Sequence, residues 1–282
     1  MEYVTLNNGV KMPILGYGVY QVSNEKCERC VLDAISVGYR LIDTAQAYGN
    51  EEAVGNAIVK CGVPRNELFI TTKVWISRGG YEKAKASIEE SLRKLKTDYI
   101  DLLLIHQPFN DYYGTYHAME EAYKEGKVRA IGVSNFYPDR LIDLCEFVDV
   151  IPAVNQVETH VFQQQKTART YMDKYGVQHE SWGPFAEGRK DFFANPVLNE
   201  IGAKYGKYAA QVALRYLIQR GVVVIPKSTH KERMEQNIDV FDFTLSEEDM
   251  SAISALDEGE SLFFSHYDPA TVERLCSYGK SK

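Results

Sequence analysis

Residues 41–55 read Leu-Ile-Asp-Thr-Ala-Gln-Ala-Tyr-Gly-Asn-Glu-Glu-Ala-Val-Gly, and the division of this stretch decides the fold. The run 40–43 is short and apolar, which suits a buried strand. Tyr48-Gly49-Asn50 is a turn signal, and a helical pattern runs over 51–61. A doubly wound open sheet would usually place a Gly-x-Gly-x-x-Gly turn after its first strand. Here that place is taken by Thr44-Ala45-Gln46-Ala47-Tyr48, which argues for a barrel instead.

The same strand-then-helix rhythm extends outward. Short runs rich in Val and Ile recur at 68–73, 100–106, 128–135, 151–158, 177–182 and 222–227. Each is too short for a helix of its own and reads as a strand of a parallel sheet. Helical patterns precede the first run at 24–37 and follow the others at 81–95, 115–124, 139–147, 164–175, 196–205 and 208–220. In 81–95, Ala84, Ile88, Leu92 and Leu95 form one apolar stripe. Ser246-Glu247-Glu248-Asp249 resembles a capping box that opens a last barrel helix through Leu256. The eighth strand is the weakest, with 237–243 as its best candidate. The stretch 3–15 falls outside the repeat and carries Asn8-Gly9 between apolar runs, a hairpin signal. The expected architecture is α/β: a (β/α)8 TIM barrel with an N-terminal β-hairpin plug and a C-terminal tail over the barrel mouth.

The 282 residues are expected to form a single domain across 1–282, a usual length for such a barrel. The composition, 45% hydrophobic and 25% charged, excludes disordered and fibrous classes. A net charge of −7 disfavours a general nucleic-acid or anionic-membrane binder, though one local basic pocket stays open. No secretory signal and no transmembrane run are read. Five irregularly spaced cysteines suggest reduced thiols in a cytoplasm. Cys27 and Cys30, although spaced as Cys-x-x-Cys, read as two helix cysteines because no second pair accompanies them. The chain is expected to act as a monomer.

Polar residues fall at the C-terminal ends of successive runs: Asp43, Lys73, His106, Ser134 with Asn135, Gln156 with Glu158, and Lys227 with Ser228. That is the face where barrel enzymes build their sites. A buried Lys and Asp cost several kcal/mol unless paired. A Tyr beside such a pair suggests a proton donor, because a neighbouring ammonium is expected to lower the phenol's pKa from about 10. Tyr48 would then protonate a developing alkoxide, Asp43 would balance Lys73, and His106 would orient a carbonyl oxygen. The missing partner is a hydride donor, which no side chain can be. Two alternatives stay open at this point: a Schiff-base lyase using Lys73 as nucleophile, and a non-catalytic binding protein. A metal site on His106 and Asp43 lacks further ligands.

These residues stand in stretches that resemble the aldo-keto reductases along essentially the whole chain. The matching stretches are MPILGYGVY (12–20), LIDTAQAYGNEEAVG (41–55), TTKVW (71–75), DLLLIHQP (101–108), AIGVSNF (130–136), AVNQVE (153–158), SWGPFAEGR (181–189) and IPKSTHKERMEQN (225–237). The branch of bacterial prostaglandin F synthase-like and diketogluconate reductase-like enzymes is similar, through GPFAEGR and the ending LDEGESLFFSHYDP (256–269). The resemblance implies NADPH-dependent reduction of a small-molecule carbonyl substrate. It puts the catalytic tetrad on Asp43, Tyr48, Lys73 and His106. It puts the nicotinamide carboxamide on Ser134, Asn135 and Gln156 and the stacking aromatic on Trp182. Gly18, Val19, Tyr20, Asp43, Gly183, Pro184 and Phe185 would line the cofactor. Lys227, Ser228, Thr229 and Arg233 match the adenosine 2′-phosphate pocket, and Gln236 and Asn237 the adenine edge.

Some positions depart from the family pattern. Gln236 replaces a usual Glu, His160-Val161 a usual His-Pro, His179 a Pro, and Ser181 an Ala. Gln236 can still bond the adenine edge; the other three changes predict a looser loop after 151–158. His160, His179 and His230 read as loop or surface residues. Substrate-binding candidates are Tyr20, Tyr48, Trp75, His106 and Phe109. Tyr112, Tyr113, Phe263, Phe264 and His266 are further candidate walls. The loop 107–114 is short, which implies a shallow pocket for aldehydes, dicarbonyls or keto-sugars.

Overall fold

The computed structural model describes residues 1–280. Two short strands, β1 (Tyr3–Thr5) and β2 (Lys11–Pro13), pair antiparallel. Gly9 supplies the positive φ, +85°, that their turn requires. Asn7 and Asn8 donate to the carbonyls of Pro152 and Arg129, which precede barrel strands. The hairpin therefore sits at the end of the barrel opposite its mouth.

Eight parallel strands follow: β3 (Gly16–Gly18), β4 (Leu41–Asp43), β5 (Phe69–Val74), β6 (Leu102–Ile105), β7 (Ile131–Ser134), β8 (Val154–Glu158), β9 (Gln178–Trp182) and β10 (Val223–Val224). Each pairs with the next. A parallel bridge between Leu15 and Val224 closes the sheet, with Val224 N donating to Ile14 O (3.0 Å) and Gly18 N to Pro226 O (3.2 Å).

The first barrel strand is thus Gly16–Gly18, and 237–243 is not a strand; that expectation is corrected. The reason lies in the packing. A Cβ on Gly16 would sit 2.2 Å from Leu41 Cδ2, and one on Gly18 would sit 3.0 Å from Ile225 O. Glycine lets the seam strands approach, and it removes the β-branched residues by which a strand is recognised. Residues 237–243 alternate apolar and polar, but they lie at the end of a helix and in the bends after it.

The helices that face the sheet are α1 (Asn24–Ser36), α2 (Glu51–Lys60), α3 (Tyr81–Leu95), α4 (Tyr112–Lys124), α5 (Pro138–Phe147) and α6 (Lys166–Tyr175). They are followed by α7 (Pro196–Tyr205), α8 (Ala209–Gln219), α9 (Lys231–Ile238), α10 (Glu247–Ser254) and α11 (Pro269–Lys280). The stripe of α3 is buried as its spacing predicts. Asp111 caps α4 by accepting from Gly114 N, which starts that helix three residues ahead of 115. Ser246 caps α10 by accepting from Asp249 N. No helix among the described residues is long and apolar enough to cross a membrane.

Strand register sorts the interior from the shell. Gln156 pairs with Ser134 and Glu180 on the neighbouring strands. Its amide reaches Asp43 on β4, across the barrel. His179 faces the other way, and its ring meets Thr159. Cys27 and Cys30 are fully buried on α1, and burial with the neighbouring thiol pushes Cys27 up to about 12.

Candidate active site

The polar strand ends converge at the mouth. Lys73 Nζ donates to both oxygens of Asp43, at 2.6 and 2.8 Å, and to Thr44 O at 3.0 Å. Both side chains are buried. Burial opposes the ammonium, but Asp43 and Tyr48 outweigh it and hold the Lys73 pKa above its ordinary value. Lys73 is therefore a cation, without the free amine that a Schiff-base nucleophile needs.

Tyr48 ends a 3-10 turn, Gln46–Tyr48, directly after β4. Three residues fix that turn. Gln46 accepts from Trp75 N (3.0 Å) and donates to Ser91 Oγ (3.1 Å). Asn50 accepts from Thr44 Oγ1 (2.7 Å) and donates to the carbonyls of Val19 and Val22. Gly49, at φ +68°, lets the chain leave the turn into α2. The Tyr48 ring then lies 5.1 Å from Lys73 Nζ and is only half-buried by its surroundings. Its pKa is pushed up to about 12: burial raises it more than Lys73 lowers it. The expectation of a lowered phenol pKa is corrected on that ground. Lys73 offsets part of the burial cost of a phenolate without making it the resting form.

His106 meets Tyr48 edge-on, with ring centroids 5.6 Å apart, and Trp75 at 5.0 Å. Burial, reinforced by Lys73, holds its pKa well below the usual imidazole range. His106 is thus neutral and can present an N–H or a lone pair without carrying charge.

Around this centre the rim is tied together. Ser134 Oγ donates to Gln156 O (2.9 Å). Asn135, at φ +62°, donates to His106 O (3.0 Å) and accepts from Trp182 Nε1 (2.9 Å). Gln156 Nε2 donates to Asp43 Oδ2 (2.9 Å). Exposed Tyr20 tilts against Tyr48 at 5.1 Å, and Gly18 and Val19 lead into it from β3. Gly183 (φ +64°) and Pro184 follow Trp182, while Phe185 packs against Phe192 and Phe193 of its own loop.

A second cluster lies across the seam. Tyr17 OH donates to Ser228 O at 2.5 Å. Lys227 and Arg233 are exposed, Thr229 is half-buried, Gln236 is exposed and Asn237 is buried. Neither Lys227 nor Arg233 forms an ion pair among the described residues.

The tail crosses the mouth. Glu158 accepts from Ser261 Oγ (2.5 Å) and Leu262 N (2.9 Å). Phe263 meets Trp182 edge-on, and Phe264 stacks on it. His266 Nε2 lies 2.6 Å from Gln107 Oε1, and its ring stacks on Phe109. Tyr278 of α11 reaches Trp75. A cavity of about 820 Å³ opens beside this tail, lined in part by Asn135, Trp182, Phe264 and His266. Tyr112 and Tyr113 turn away and donate to Asp143 on α5.

His160 lies in a loop, as expected, but is not at the surface, whereas His179 lies in a strand and is neither a loop nor a surface residue. His160 is fully buried: its Nε2 pairs with Glu158 Oε1 (2.9 Å), and its Nδ1 accepts from Phe162 N and Gln163 N. The loop after β8 is therefore cross-tied rather than loose. His179 is also buried, because it stands at an outward strand position beneath α6. Sequence reasoning also misses Gln46 and Glu180. The signal for Glu180 is a polar triplet, His179-Glu180-Ser181, inside a strand. Among the described residues no three His, Cys, Asp or Glu side chains converge as a metal site.

Residues 14–258 match the Aldo/keto reductase family. A glyoxal reductase of Bacillus subtilis is 49% identical over 261 residues, covering 92% of this chain and 94% of its own. The crystal structure of an aldo-keto reductase from a Medee basin deep-sea metagenome library superposes with a TM-score of 0.92 at 45% identity, covering 94% of this chain and 98% of its own. A Bombyx mori aldo-keto reductase in complex with NADP gives 0.89 at 34% identity, covering 96% of each chain.

Proposed function

The chain belongs to the aldo/keto reductase family, and on that premise we propose that it reduces small aldehydes, dicarbonyls and keto-sugars to alcohols with NADPH, Tyr48 giving the proton. One observation carries this reading: a buried ammonium, clamped by Asp43, stands beside the half-buried phenol of Tyr48 and a neutral His106.

The residues fit the cofactor. Lys227, which adjoins Ser228 and Thr229 in the sequence, and Arg233 on α9 are exposed cations without ion-pair partners among the described residues. Such a group suits a dianionic phosphate, the feature that separates NADPH from NADH. The Bombyx mori relative bound to NADP supports the same choice. Ser134, Asn135 and Gln156 would hold the carboxamide, Trp182 the ring face, and Gln236 with Asn237 the adenine. Gly18, Val19, Tyr20, Gly183, Pro184 and Phe185 would line the path between. When bound, NADPH supplies the hydride that no side chain can supply.

The side chains do the rest. His106, being neutral, hydrogen-bonds the carbonyl oxygen and fixes its direction. Tyr48 holds its proton at rest and passes it to that oxygen as negative charge develops there. Lys73 stabilises the phenolate left behind, and Asp43 keeps Lys73 charged and in place. Tyr20, Trp75 and Phe109, with the tail, exclude water from the oxygen.

The test is NADPH consumption against a panel of carbonyls, with NADH in parallel. Turnover of small aldehydes and dicarbonyls with NADPH is expected. A strong preference for steroids overturns the substrate class. Covalent trapping of substrate on Lys73 by borohydride would favour a lyase instead.

A further inference from the structure

We propose that Glu180 is a positioning residue for proton delivery by Tyr48, acting from inside the barrel through Gln156 and the Asp43–Lys73 ion pair. This rests on the reading of Tyr48 as proton donor.

Glu180 lies in the middle of β9 and is fully buried. Neither carboxyl oxygen has a partner at full hydrogen-bond geometry among the described residues. An isolated carboxylate at such a place would be very costly, so the group stands as the neutral acid. Burial first, and Asp43 second, push its pKa up to about 8, against the smaller opposing pull of the Gln156 amide and Lys73. Its register partners are Gln156 on β8 and Val223 on β10. The charged groups acting on it are Asp43 from β4 and Lys73 from β5. Lys73 in turn feels Glu180.

Gln156 is the link. Its amide donates to Asp43 Oδ2 and stands in register with Glu180. With Glu180 neutral, the buried Asp43–Lys73 pair sums to zero charge. Ionised Glu180 would add one negative charge to the barrel interior and oppose the phenolate that Tyr48 must become. It would also compete with Asp43 for the Gln156 amide and for Lys73. Neutral Glu180 therefore keeps Lys73 directed at Asp43 and Tyr48. Tyr48, its pKa pushed up to about 12, and His106, held well below the usual imidazole range, would not change protonation near pH 8, so a loss of rate there would point to Glu180.

The experiment compares wild type, Glu180→Gln, Glu180→Met and Tyr48→Phe with bound NADPH. It follows single-turnover oxidation by glyoxal from about pH 6 to about pH 9.5, together with thermal unfolding without cofactor. Wild type should lose rate above about pH 8 as Glu180 ionises, and Glu180→Gln should stay level. At neutral pH Glu180→Gln should remain within about threefold of wild type, and Glu180→Met should fall roughly tenfold as the amide loses its polar neighbour. In unfolding, the folded chain keeps the Glu180 proton that the unfolded chain has lost. The advantage of Glu180→Gln over wild type should therefore grow from about pH 5 to about pH 8 and then level off. A Glu180→Gln rate profile that falls with the wild-type midpoint, or a stability difference constant with pH, overturns the proposal. Should Glu180→Gln fail to fold, full wild-type rate in Glu180→Met overturns it. If Tyr48→Phe keeps its turnover, the proton-donor reading itself falls, a result distinct from either failure.

Discussion

Lys73 Nζ sits between the two carboxylate oxygens of Asp43, 2.6 and 2.8 Å away, with both side chains closed off from solvent. Removing one partner leaves the other charge buried and uncompensated, whereas removing both does not. Lys73→Met should lower unfolding stability by about 3–5 kcal/mol. The double variant Asp43→Leu with Lys73→Met should recover most of that loss in urea unfolding while staying inactive. Equal instability of single and double variants would contradict the argument.

Tyr48→Phe removes the proton and leaves the ring against Tyr20 and His106. Turnover should fall by about 10²–10⁴, while NADPH binding, followed by quenching of tryptophan fluorescence, should change little. Unchanged turnover would sink the assignment.

Arg233 and Lys227 are exposed and are proposed to face the 2′-phosphate. A charge-assisted hydrogen bond contributes about 1.5–3 kcal/mol. Arg233→Ala should therefore weaken NADPH by roughly 10–100-fold and leave NADH nearly untouched. Parallel titrations with the two cofactors give the comparison, and equal losses would place Arg233 elsewhere.

His179 makes an acid-sensitive contribution to stability. Burial, with help from Arg169 and Arg220, lowers its pKa to about 3. The unfolded chain takes up a proton below about pH 6.5, and the folded chain does not until about 3. Stability is therefore present above about pH 6.5 and drains away as pH falls, at up to about 1.4 kcal/mol per pH unit. Urea unfolding of wild type and His179→Gln, at about pH 6.5 and about pH 4.5, should show the steeper loss in wild type. Matching losses would mean that His179 is not the group responsible.

The periodic parts of the chain are legible in the amino-acid sequence alone. Seven Val- and Ile-rich runs lie on strands, and 81–95 and 196–205 coincide with α3 and α7. The seam is not legible. Gly16-Tyr17-Gly18 carries no strand signature because its glycines serve strand contact, and Val240, Phe241 and Phe243 imitate a strand while packing from bends. In the candidate site, the residues at strand ends are readable from position alone. The Gln46 brace and the mid-strand Glu180 are not, because their meaning lies in partners on other elements. The pKa of Tyr48 escapes a sequence reading for a related reason: sequence shows the neighbouring cation but not the desolvation of the phenol by residues from other elements that outweighs it.

Closure of the seam also bears on how the molecule is made. Leu15 meets Val224, and Gly18 meets Pro226, so the ring of strands joins only when a late part of the chain has emerged. Until then, a nascent chain carries β3 and β9 as raw edges with open backbone groups, the kind of surface on which chains aggregate. The contacts that shut the ring are the least local in the sheet, and such contacts form slowly. Lys227 and Ser228 of the candidate site come just after the strand that ends this exposure. Cofactor binding is thus tied to this non-local joint, and NADPH would stabilise the chains that have closed it.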